Sequence, residues 1–105
     1  MKIAITSQNR RTVTAHAGRC RRFWVYDVED GRVTGKALLE LAKTDTLHEV
    51  SPGIPHELTA IDALVSTGMC DNLVARLKRN GIEARQTACE EPDEALQRLL
   101  AEGVS

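Results

Sequence analysis

Apolar and polar positions alternate over KIAITS (2–7), a pattern that predicts a short opening strand. From 8 to 21 the alternation stops. The segment is polar, has no helical period and predicts a long loop. FWVYDV (23–28) is aromatic and β-branched, a strand composition. Glu29-Asp30-Gly31 follows as a hairpin signal, and RVTGKALLEL (32–41) is expected to return antiparallel. Residues 42–57 contain Pro52, Gly53 and Pro55, too broken for more than a turn or two of helix.

The second half is more regular. IDALVST (61–67) reads as a buried strand ending at Gly68. In CDNLVARLKRN (70–80), Leu73, Val74 and Leu77 share one helical face, and Asn80-Gly81 marks its end. IEARQTA (82–88) alternates as a strand. Pro92 suits the first turn of a last helix whose apolar stripe is Ala95, Leu96, Leu99 and Leu100. The expected fold class is α/β: one domain over 1–105, a mixed sheet of about five strands flanked by helices, with 61–88 as a right-handed parallel crossover.

Composition narrows the function. A chain of 105 residues can bury one core without disulfides. With 42% apolar and 28% charged residues, disordered and collagen-like classes fall away. The 14 basic and 15 acidic residues leave a net charge of −1, which excludes a general nucleic-acid binder. No apolar run approaches the ~20 residues of a membrane span. With no signal-peptide segment in MKIAITSQNR, the expectation is a cytoplasmic protein without a membrane partner. Cys20, Cys70 and Cys89 form no CxxC pair and no disulfide framework, so reduced thiols are expected.

The charge is unevenly spread. Residues 1–22 hold Lys2, Arg10, Arg11, Arg19, Arg21 and Arg22 and no acid, whereas 90–102 holds five acids against one Arg. The amino-terminal part is therefore the anion-facing part. In open α/β sheets ligands gather at the carboxyl ends of parallel strands. If strands 2–7 and 61–67 are parallel neighbours, the loops holding His16 to Arg22 and Thr67 to Cys70 line one rim, and His16, Cys20 and Cys70 converge.

The stretch AHAGRCRRF (15–23) then acquires a chemistry. Metals bind thiolate, and the guanidinium groups of Arg19 and Arg21 are expected to lower the pKa of Cys20. The same arginines attract an anion, and Cys70 sits at a helix amino terminus, which also favours one. His16 offers an imidazole nitrogen acceptable to iron, zinc or copper. Other readings stand beside these. Cys20 suits a small buried hydrophobe, Cys70 a small residue at a crowded helix start, and Met69 core packing. Cys89 reads as structural, His48 and His56 as loop residues, Arg10 and Arg11 as a solvated loop. A mononuclear zinc or copper site of His16, Cys20 and Cys70 is one alternative. A metal-free module binding a small anion or a protein is another. A two-metal nuclease is not, because KIAITS carries no carboxylate.

Two motifs carry a resemblance. His16-x-Gly18-Arg19-Cys20 before Phe23 and Tyr26-Asp27 is the first; Gly68-Met69 before a helix ending in Gly81-Ile82-Glu83 is the second. In this order and separation the chain resembles the dinitrogenase iron–molybdenum cofactor-binding family, which includes NifX, NafY and the carboxyl-terminal domain of NifB. The resemblance implies a ribonuclease-H-like fold. It implies a non-enzymatic role: binding, carrying or storing an anionic iron–sulfur or iron–molybdenum–sulfur cluster, with cluster donor or acceptor proteins as partners. His16 and Cys20 inherit the ligand role, Gly18 the turn that points both inward, and Gly68 and Met69 a place in the cofactor site; Arg19, Arg21 and Arg22 would face the cluster's charge. The family's usual Gly-His-Phe-Gly has Ala15 and Ala17 here, and its Gly-Met-Gly ends in Cys70, a candidate third ligand.

Overall fold

A computed structural model describes residues 1–51 and 53–102; the expected breaker Pro52 lies outside them. The strands are β1 (Lys2–Thr6), β2 (Arg22–Glu29), β3 (Arg32–Glu40), β4 (Ala63–Ser66) and β5 (Glu83–Gln86). The helices are α1 (Asp71–Arg79) and α2 (Pro92–Ala101). Between β3 and β4 the chain makes single 3₁₀ turns at Lys43–Asp45 and His56–Leu58, the second opening directly after Pro55. Among the described residues no helix is long and apolar enough to cross a membrane.

The five strands form one mixed sheet in the order β3-β2-β1-β4-β5. β1 is central, antiparallel to β2 and parallel to β4, which is parallel to β5. Asp30 and Gly31, with φ of 51° and 75°, make the tight β2–β3 turn, whose twist requires positive φ at both positions.

Alternation along the central strands sends side chains to two cores. Ala4, Leu64 and Phe23 pack with Leu73 and Leu77 of α1. Ile3, Ile5, Val65 and Tyr26 pack with Ala95, Leu96 and Leu99 of α2. Strands covered on both faces read as nearly continuous apolar runs, which is why IDALV looked buried.

Glu91 caps α2 by accepting from the Asp93 and Glu94 N–H groups. The Asp93 carboxylate in turn accepts from the Tyr26 hydroxyl at 2.7 Å and from Lys36 Nζ at 3.0 Å, tying α2 to the sheet. These donors, Tyr26 first, hold the Asp93 pKa below the usual carboxylate value, and burial beside Asp93 pushes that of Tyr26 up. A carboxylate with a depressed folded pKa stabilises above its unfolded pKa of about 3.9, and that contribution is lost as pH falls through the folded value. We predict that the wild-type chain loses stability on acidification below about pH 4 more steeply than Asp93→Asn does. Denaturant unfolding at pH 7 and at pH 3 checks it; equal losses would show that the contact does not couple to folding.

Candidate functional site

Parallel pairing of Ile3 with Ala63 and Ile5 with Val65 puts the carboxyl ends of β1 and β4 on one rim. The loop after β1 and the connection 67–70 therefore leave side by side. Their backbones are bound together. The Thr14 carbonyl accepts from the Thr6 hydroxyl at 2.6 Å, the Ser66 hydroxyl at 2.9 Å and the Thr67 N–H at 3.2 Å. The Ala17 N–H donates to the Gly68 carbonyl at 3.3 Å. The approach at Gly68 is close, since a Cβ there would stand 3.1 Å from the Cβ of Ala15 and the loop would have to give by a few tenths of an ångström.

Between the loops opens a cavity of about 300 Å³, walled by residues 15–19, His48, and Gly68, Met69 and Cys70. His16 is exposed and adopts φ 58°, ψ 50°, a left-handed conformation uncommon outside glycine. The bend expected at Gly18 thus falls at His16. Gly18 has no positive φ; its carbonyl instead accepts from the His48 N–H at 2.6 Å, bringing His48 to the cavity. Cys70 is exposed and precedes α1, with no side-chain bond to the helix N–H groups. Met69 is half-buried on the same wall and packs against the α1-side core.

Cys20 differs from expectation. Its side chain is 3% exposed within the α1-side core, and its thiol donates to the Arg22 carbonyl at 3.0 Å. Burial pushes its pKa up, outweighing the hydrogen bonds and the Arg22 charge that oppose it. The lowering expected from flanking arginines does not occur, because desolvation of a buried thiolate costs more than screened guanidinium charges return. Cys20 borders a second hollow with Gln8, Thr14, Ala15, His16 and Arg19, so it shares that hollow with His16 and Arg19 of the cavity wall although its side chain is buried.

The arginines also divide. Arg19 is exposed on the cavity. Arg21 donates from Nε to the Leu41 carbonyl and lies 3.9 Å from Glu40; Arg22 donates to the Gln8 carbonyl and lies 3.5 Å from Glu40. Neither lines the cavity. Their charge is spent across the β2–β3 edge. Cys89 is buried with its thiol 3.6 Å from the Glu91 carbonyl, and His56 lies exposed in a 3₁₀ turn; neither reaches the rim.

Three residues left outside the expected site stand beside it: His48, read as a loop residue, and Arg76 and Arg79, which the sequence reading did not single out. Arg76 had a signal, since it occupies the stripe of Leu73 and Leu77 at helical spacing, where a charge is out of place. It is buried, and burial, opposed by the nearby Cys70 sulfur, pushes its pKa down. His48 had none, because only the long-range bond to Gly18 brings it here.

A family model described as dinitrogenase iron–molybdenum cofactor matches residues 1–102. An uncharacterized Methanocaldococcus jannaschii protein, MJ0580, is 25% identical over 102 residues, 95% of this chain and 86% of that protein. Among solved structures, a protein of the same organism provisionally named a dinitrogenase superposes with a TM-score of 0.75 at 12% identity, covering 100% of this chain and 92% of that one. The apo orange protein of Desulfovibrio gigas gives a TM-score of 0.70 at 17% identity, covering 99% and 90%. A Thermotoga protein provisionally named NifB gives 0.63 at 21%, covering 97% and 88%. These structural likenesses establish a shared fold.

Proposed function

Because this chain belongs to the dinitrogenase iron–molybdenum cofactor family, we propose that it binds and carries or stores an anionic iron–sulfur or iron–molybdenum–sulfur cluster as cargo. In this reading residues 1–105 are one cofactor-binding domain of ribonuclease-H-like fold, non-enzymatic and cytoplasmic, exchanging its cargo with donor and acceptor proteins. The mixed sheet ordered β3-β2-β1-β4-β5 supports the fold label.

One observation carries the proposal. His16, Met69 and Cys70, from two loops some 50 residues apart in sequence, surround one open cavity with Arg19 at its edge. Imidazole nitrogen, thioether and thiolate sulfur are soft donors suited to iron and to metal–sulfur clusters. A guanidinium meets the cluster's negative charge without competing for metal. In this arrangement His16 and Cys70 ligate, Arg19 attracts, and Cys20 packs beneath the loop. Among the described residues no group of three or more His, Cys, Asp or Glu is placed to hold a metal ion.

The test is anaerobic reconstitution with iron and sulfide, with and without molybdate, followed by desalting, absorption and paramagnetic-resonance spectra, and metal counting. Retention of iron and sulfide together is expected. A colourless protein without iron would refute the proposal, and stoichiometric zinc or copper binding in its place would favour the single-ion site.

Charge attraction at an exposed arginine is screened by salt, whose Debye length falls from about 30 Å at 0.01 M to about 3 Å at 1 M. Cluster affinity should therefore decline across that range. Arg19→Gln should weaken binding about two- to fivefold at low salt, whereas Arg21→Gln should change it little, its partner being Glu40. Titration at both ionic strengths decides this, and equal effects of the two variants would remove Arg19 from its assigned role.

A further inference from the structure

A second hollow of about 440 Å³ adjoins the cavity. It runs from Gly18 and Cys70 along α1, past Asn72, to Arg76 and Arg79, and no acidic side chain lines it. Arg76 is 7% exposed. Its Nη2 donates to the Leu47 carbonyl at 2.8 Å, but its Nη1 is buried without an acceptor among the described residues. A buried charged donor left unmatched is costly, and structures rarely retain one without a reason.

The surroundings point the same way. Among the described residues no carboxylate lies within ion-pair distance of Arg76 or Arg79. Burial first, and after it the Arg79 charge, lower the Arg76 pKa against the opposing effect of Cys70. The groove also includes Asn72 in the opening turn of α1, where helix N–H groups lack intrahelical acceptors. Asp71, in that same turn, is exposed and does not line the groove.

We propose that this groove is an oxyanion subsite, in which Arg76, Arg79 and the N–H groups opening α1 hold a carboxylate or phosphate group. Nη1 is shielded from solvent in this structure, so binding requires the Arg76 fork to turn until Nη1 meets the anion, which then supplies the acceptor that the protein withholds. Arg79, exposed at the outer end, sets the charge that draws the ligand in. The groove meets the cavity at Gly18, His48 and Cys70, so a ligand held here lies against whatever occupies the cavity.

The inference needs no cluster, and its test uses the full metal-free chain, so its failure and that of cluster binding are read separately. Inorganic phosphate and succinate are titrated, each against sodium chloride of equal ionic strength, while amide and Arg Nε–H resonances are followed. Saturable shifts at residues 71–73 and at Arg76 are expected with at least one of them; phosphate alone identifies a phosphoryl ligand, succinate alone a carboxylate. Arg79→Gln should weaken binding about tenfold, since a hydrogen bond to a charged group is lost. Arg76→Lys, which keeps charge but not the fork, should weaken it as well. Arg79 is exposed, so its variant reports on binding even if Arg76→Lys fails to fold. Shifts that grow linearly and match chloride, or saturable shifts unchanged in Arg79→Gln, would overturn the proposal.

Discussion

His16→Ala and Cys70→Ser are each expected to lower cluster affinity by at least about tenfold, and Cys20→Ser to leave it largely unchanged. Changes to groups that merely support a metal ligand already cost about 10–100-fold, so loss of a ligand on an open loop should cost no less. The two residues to which the effect is assigned are exposed and border one cavity. Cys20 is 3% exposed, and its thiol is engaged with the Arg22 carbonyl. Burial also holds it in the thiol form, whereas metals need thiolate. Iron and sulfide counts after desalting, with chelator competition, measure all three variants. Loss of cluster in Cys20→Ser with retention in Cys70→Ser would return the ligand role to the buried thiol and require the loop to open.

Phe23→Ala should destabilise the metal-free chain by about 3–5 kcal/mol, a large part of the ~5–15 kcal/mol available to a domain of this size. Phe23 is fully buried at the start of β2, in the core beneath the loop, where it packs among residues that include Leu73 and Leu77 of α1. Truncation removes its transfer free energy and leaves a cavity that the paired strands cannot collapse. Phe23→Leu, which keeps most of the volume, should cost much less. Denaturant unfolding measures both. Stability within about 1 kcal/mol of the parent, combined with lost cluster binding, would instead make Phe23 part of the docking surface.

Within AHAGRCRRF, then, the sequence pattern mixes site and scaffold. The strand and helix boundaries were legible because each depends on periodicity within a few residues: alternation in KIAITS, the stripe of Leu73 and Leu77, Pro92 opening α2. The shared rim was legible only as a condition, that strands 2–7 and 61–67 be parallel neighbours, and the β1–β4 pairing meets it. On that condition His16, Cys20 and Cys70 were expected to converge; His16 and Cys70 border one cavity, and Cys20 is buried beside it.

Which thiol and which arginine face the cavity was settled elsewhere. A two-residue turn at Asp30-Gly31 pairs Glu29 with Arg32, and continued without interruption it would set Arg22 opposite Leu39. The irregularity at Asp27/Val28 shifts the register by one residue, so Arg22 meets Glu40, 3.5 Å away, and its charge is paired across the two strands. Cys20 is buried because the segment after β3 closes over the loop, with Leu41 and Leu47 in the same core and the His48 N–H bound to the Gly18 carbonyl. The sequence by itself determined the elements, the parallel strand–helix–strand unit and the supply of soft and basic side chains. Burial, register and charge pairing come from segments distant in sequence, and so only the tertiary structure decided which of those side chains remain free to bind.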